Sequence, residues 1–154
     1  MQKKIFLLLF FLLLSSCGYE ALYLEKNSAN YNFSISELNF VGDRSVNLKI
    51  KKKLSSYTLN EKNKNFEIKI SSTTTKTIVT NDTRGDATSF KSTVAINVEI
   101  SKNDKLKNSF VMSESFNYNN NYDKFNLKKY EREIKNNLTE TITDKLIFKL
   151  SNIQ

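Results

Sequence analysis

Cys17 is the only thiol in a chain of 154 residues, and its neighbours decide what chemistry it can do. It follows Leu14-Ser15-Ser16, at the end of an apolar run that begins at Ile5 behind the cations Lys3 and Lys4. A basic start, an oily segment and small residues before a break make a secretory signal peptide. Small residues leading into a cysteine match the bacterial lipobox, in which the thiol is acylated and the chain is cut just before it. With one cysteine, no disulfide can close within the chain. The competing reading is a transmembrane anchor with an idle thiol. A span needs roughly 20 apolar residues, and this run meets Ser15, Ser16 and Gly18 first, with Glu20 just beyond. The lipid anchor is therefore preferred. Residues 1–16 are read as the signal peptide, 17–30 as a lipidated N-terminus and tether, and 31–154 as a single domain.

Acyl chains on Cys17 would hold the mature chain to a leaflet, since each buried CH₂ contributes about 0.8 kcal/mol and two chains suffice for stable anchoring. Gly18 stands where inner-membrane lipoproteins of proteobacteria often carry Asp, which points to the periplasmic side of the outer membrane. The covalent lipid is the only group expected on the protein, and no dissociable cofactor is expected. The chain has 24 Lys+Arg against 16 Asp+Glu. Removing Lys3 and Lys4 with the leader leaves 22 against 16, a net charge of +6. A basic face of this kind suits anionic lipid headgroups or lipopolysaccharide phosphates. The bias toward Lys and Asn is equally the mark of an AT-rich genome, and the export signal argues against nucleic acid.

Other chemistries fall away on composition. The chain has no His, so a Ser-His-Asp triad, a Cys-His dyad and a His-ligated metal are all excluded. Its three glycines form no phosphate-cradling loop. Carboxylate pairs exist, but no motif places them for acid–base work, and no enzymatic activity is expected.

The elements that position these groups follow from periodicity. Tyr31, Phe33 and Ile35 alternate, then Leu38 and Phe40 continue out of phase. The change of parity at Ser36-Glu37 predicts a bulged strand closed by Gly42-Asp43. Val46, Ile50 and Leu54 recur at helical spacing behind a cap at Asp43 or Ser45, with Lys49, Lys51, Lys52 and Lys53 read mostly as a solvated face. Phe66, Ile68 and Ile70 open a long, hydroxyl-rich strand, and Thr80–Ala87 reads as its hairpin loop. Phe90, Val94, Ile96, Val98 and Ile100 make the clearest period of two, and Phe110, Met112, Phe116 and Tyr118 make the next strand. From Asp123, apolar residues at Leu127, Tyr130, Ile134, Leu138, Ile142 and Leu146 predict an amphipathic helix of about six turns. The expected fold is α/β, in the order β-α-β-β-β-α. It is a two-layer sandwich of a four-stranded mixed sheet with both helices packed on one face. Strand order is not legible at this level.

Several segments together resemble the LptE family of lipopolysaccharide-assembly lipoproteins, in particular its alphaproteobacterial members. They are the lipobox with Gly18-Tyr19-Glu20-Ala21-Leu22-Tyr23, Gly42-Asp43-Arg44 opening a helix, Gly85-Asp86-Ala87-Thr88 entering a strand, Ser115-Phe116-Asn117 ending another, and the mixed-charge C-terminal helix. Ala21 stands where the family commonly has Pro. The resemblance implies a non-enzymatic partner of LptD, an outer-membrane β-barrel, that sits in its lumen and helps move lipopolysaccharide to the outer leaflet. Arg84, Ser89 and Lys91 are the candidate contacts to lipopolysaccharide or to the barrel. The family commonly places Arg where this chain has Ser89. Arg84 either takes over that phosphate contact or is a solvated turn charge. The rival function is an auxiliary or solute-binding lipoprotein of another envelope transport complex.

Overall fold

The computed structural model describes residues 33–58, 62, 64–103 and 105–153. The signal peptide, Cys17, the tether, Tyr31 and most of the turn after the first helix lie outside the described residues. All described residues belong to one unit, Tyr31–Gln154.

Strand β1 (Ser34–Gly42) is followed by helix α1 (Arg44–Leu54) and a 3₁₀ turn at Ser55–Tyr57. Strands β2 (Asn65–Asn81), β3 (Ala87–Lys102) and β4 (Lys105–Asn119) come next, and helix α2 (Lys124–Ser151) ends the fold. The sheet order is β1-β2-β3-β4. β1 lies parallel to β2 through the α1 crossover, and β2, β3 and β4 form an antiparallel meander. This is the two-layer α/β arrangement expected from the residue pattern.

The parity change in β1 is a bulge. Ile35 pairs with Phe66 and Glu37 with Glu67, so Ser36 is the extra residue. Its hydroxyl donates to the Phe66 carbonyl at 3.2 Å. At the far end of β1, Gly42 has φ +100°, and a Cβ there would fall 1.9 Å from the Ser72 carbonyl oxygen. Only glycine allows β1 to close so tightly on β2 before the chain turns into α1.

Asp43 is the N-cap of α1, with Oδ1 accepting from the Ser45 and Val46 amides at 2.9 and 3.2 Å. Its Oδ2 accepts from the Thr74 hydroxyl at 2.9 Å and lies 3.5 Å from Lys135 Nζ. One carboxylate thus joins α1, β2 and α2. Burial raises its pKa, but hydrogen bonds from Ser45, Val46 and Thr74 and the charge of Lys135 outweigh this and hold it well below the usual carboxylate range.

The core forms where the helices meet the even-numbered face of the meander. Ile68, Ile70, Val94, Ile96, Val98 and Ile100 are at most 2% exposed, as are Val46, Ile50 and Leu54 of α1 and Ile142, Leu146 and Leu150 of α2. Burying one such side chain contributes about 1.5–3 kcal/mol. Phe33 stacks on Tyr57 at 4.7 Å and seals the end of the core beneath the 3₁₀ turn.

Three details depart from the sequence reading. Thr80 and Ser89 are paired strand residues, so the hairpin turn shrinks to 82–86. Cross-strand pairing overrides the local turn signal there, and the Thr80 hydroxyl lies 2.6 Å from that of Ser89. Helix α2 runs to Ser151 and has 28 residues, longer than six turns, while its start behind the Asp123 cap, which accepts from the Phe125 and Asn126 amides, is as expected. Lys49 and Lys53 are not simply solvated. Lys49 donates to the Asn136 carbonyl, and Lys53 pairs with Asp144 at 2.6 Å, so both bridge α1 to α2.

Candidate functional site

The residues singled out in the sequence do not converge. Arg84 lies in the 82–86 turn, where its guanidinium closes on Asp82 of the same turn at 3.4 Å and stays largely exposed. The Asp82 carboxyl sits below its ordinary value, chiefly because it accepts the Asp86 and Arg84 amides. Ser89 and Lys91 share the outward face of β3, opposite Thr80 and Thr77 of β2 and Asn119 and Asn117 of β4. No hydrogen bond or ion pair joins these three residues to one another.

That outward face is itself distinctive in chemistry. Pairing across the meander builds rows such as Thr73–Ala95–Ser113, Thr75–Thr93–Ser115 and Thr77–Lys91–Asn117. Hydroxyls and amides dominate these rows, and the same face carries the exposed apolar side chains Val111 and Leu106 of β4 and Val41 of β1. Among the described residues, no element covers it. Both helices take the other face, so this side of the sheet is open to water or to a partner.

The concentration of charge lies elsewhere, in a groove between the upper sheet and α2. It encloses about 340 Å³ and is lined by Thr74, Thr75, Lys76, Ser92, Tyr118, Lys128, Glu131, Arg132 and Lys135. Helical spacing sets Lys128, Arg132 and Lys135 along one stripe of α2, at i, i+4 and i+7. β2 sends Lys76 up from the opposite wall, with its ammonium 3.8 Å from the centre of the Phe90 ring. At the floor, Glu131 Oε1 accepts from both Lys76 Nζ and the Tyr118 hydroxyl. Burial pushes Glu131 up, but the hydrogen bonds from Lys76 and Tyr118 and the charges of Lys76 and Lys128 bring it net below its ordinary value. Burial, and then the contact with Glu131, pushes the Tyr118 hydroxyl well above its ordinary value.

Glu131 is thus fixed as an anion and Tyr118 as a neutral donor, so neither is poised to exchange a proton near neutral pH. Four cations face one carboxylate in the groove. Lys76 is committed to Glu131 and Lys135 leans on Asp43, while Lys128 acts on Glu131 through its charge alone and Arg132 lines the groove beside it. Cations arranged in this way are the chemistry that charge-assisted hydrogen bonds to a phosphate or carboxylate require. The i, i+4, i+7 spacing was readable in the sequence. Lys76 was not, because it lies on a different element more than 50 residues earlier in the chain.

No protein-family model matches this sequence, and no curated protein matches it either. Solved structures do match its fold. The rare lipoprotein B of Shewanella oneidensis aligns over 74% of this chain and 89% of its own, with TM-score 0.50 and 9% identity. A minor lipoprotein of Acinetobacter baumannii aligns over 79% and 91%, with TM-score 0.57 and 11% identity. Lipoprotein B of Nitrosomonas europaea aligns over 79% and 86%, with TM-score 0.53 and 8% identity. At such identities the likeness is one of fold. Among the described residues, no helix is long and apolar enough to cross a membrane.

Proposed function

We infer that this chain is an LptE-type lipoprotein of the cell envelope. It is tethered through Cys17 to the periplasmic side of the outer membrane, and it partners an LptD-like β-barrel in delivering lipopolysaccharide to the outer leaflet. The observation that carries the reading is the fold shared with rare lipoprotein B and a minor lipoprotein over most of both chains, joined to a lipobox in this sequence. The open sheet face supports it. Rows of Ser, Thr and Asn suit the wet interior of a barrel and would suit lipid poorly. The cationic groove of Lys76, Lys128, Arg132 and Lys135 supplies a surface for lipid-linked phosphates. On this reading the protein is a non-catalytic partner.

Site-specific photo-crosslinking in cells tests this reading. Crosslinkers at Thr93 and Ser113 on the open face should yield adducts to one large outer-membrane protein. A crosslinker at Lys52, on the outer side of α1, should yield weaker adducts to it. If neither open-face site gives such an adduct in cells where the protein is functional, the barrel reading fails. Adducts to an inner-membrane transport complex would support the rival function.

A further inference from the structure

A second cavity adjoins the cationic groove across Tyr118, and its chemistry is different. It encloses about 560 Å³ between the end of β4 and the first turns of α2. In a chain with 26% charged residues, none of its lining side chains carries a formal charge. Phe116 enters it from β4 and Tyr130 from α2, and these rings are 47% and 44% exposed. Tyr118 lies between them, with its ring 6.1 Å from that of Tyr130 at an angle of 85°. The Tyr118 hydroxyl is tied to Glu131, so this ring is fixed in orientation. Five asparagines and Leu127 complete the wall. Asn120 is held by a bond to the Ala87 carbonyl at 2.7 Å, and Asn126 by one to Asp123 Oδ2 at 2.6 Å. A carboxamide offers two N–H donors and two acceptor sites, so each of these anchored amides retains capacity to bind something else.

We propose that this cavity is a binding site for neutral sugar rings. The face of an aromatic ring is electron-rich and attracts the weakly positive C–H groups on one face of a pyranose. Carboxamides pair donor-to-acceptor with adjacent hydroxyls and add no charge. Exposed aromatic faces and immobilised amides meet the needs of an uncharged saccharide, and the Lys124 ammonium at the rim is taken up by Asn120 Oδ1 and the Asn121 carbonyl at 3.3 and 3.2 Å. The proposal rests on the functional reading above only for the source of the sugar, which in the envelope is either a glycolipid or the murein backbone.

The test uses the full chain in a detergent without a sugar headgroup, with maltotetraose and chitotetraose as probes. Saturation-transfer NMR reads magnetisation passing from protein aromatic protons to sugar ring protons, and a titration gives Kd. At least one probe should bind at millimolar concentration or below, with an affinity that added salt does not weaken. Phe116→Ala and Tyr130→Ala should each weaken binding by about fivefold. Tyr130→Phe should retain it, and so should Lys52→Ala on the exposed side of α1. Both rings are half exposed, so the alanine variants should melt close to the parent, and the melting curve checks this. Preference for maltotetraose supports a plain-hexose glycolipid source, and preference for chitotetraose supports the acetamido sugars of murein. No transfer to either probe, or equal transfer in both alanine variants, overturns the proposal. Crosslinking to the barrel would be untouched by that failure, so the two ideas fail separately.

Discussion

Tyr118 and Lys76 donate to the same oxygen of Glu131, the tyrosine hydroxyl at 2.8 Å, so one carboxylate ties β2 and β4 to α2. The contact sits where two cavities of opposite character meet, with cations on one side and aromatic rings and amides on the other. Its removal should alter stability and ligand binding in opposite directions.

Glu131→Gln should cost about 1 kcal/mol of stability, since a charge-assisted bond in a partly exposed site gives less than a fully buried one. The same change removes the one carboxylate among the described residues that line the groove. Affinity for lipopolysaccharide should therefore rise at low salt, and the gain should fade as salt screens it. Chemical denaturation and a binding titration at two salt concentrations read both effects. A variant that is less stable and also binds less would contradict the groove assignment.

Asp43→Asn should destabilise the fold by about 1–2 kcal/mol at neutral pH, through loss of cap strength and of the ties to Thr74 and Lys135. The native carboxyl titrates below the unfolded one. Its contribution is therefore complete above the unfolded value of about 3.9 and is lost as pH falls toward the native pKa. The stability gap between parent and variant should narrow below about pH 4. A gap constant from neutral to acid pH would show that the charge of Asp43 contributes nothing.

Ile96 is 1% exposed on the helix side of β3, and Asn97 faces outward beside it. Ile96→Asp buries an unpaired charge and should abolish cooperative unfolding. Asn97→Asp should melt within a few degrees of the parent. Circular dichroism melts of the pair check the facing, and similar losses in both would show it to be wrong.

Cys17→Ser should abolish fatty-acid labelling of the chain, because a hydroxyl is a much poorer nucleophile than a thiol for acyl transfer. Metabolic labelling of parent and variant reads this directly. Equal label in both would remove the anchor on which the envelope assignment depends.

The sequence alone determined those features that a few neighbouring residues set. The bulge at Ser36 was written in the shift of parity between Ile35 and Leu38, because successive strand residues face opposite ways. The cap at Asp43 followed from residue type and the apolar spacing behind it. The buried faces of β3 and α2 followed from periods of 2 and 3.6. Only the tertiary structure decided the sheet order and the fate of individual charges. Lys53 reads as one of several lysines on a polar face until α2 brings Asp144 to 2.6 Å from it. Thr80 reads as loop until Ser89 pairs with it across the hairpin. Arg84 reads as a loop cation until its guanidinium closes on Asp82 of the same turn at 3.4 Å. The cationic groove is made by residues on β2, β3, β4 and α2, whereas the aromatic cavity is lined within the one stretch from Phe116 to Tyr130. No local pattern encodes the groove, because its walls exist only once distant segments pack on a shared core.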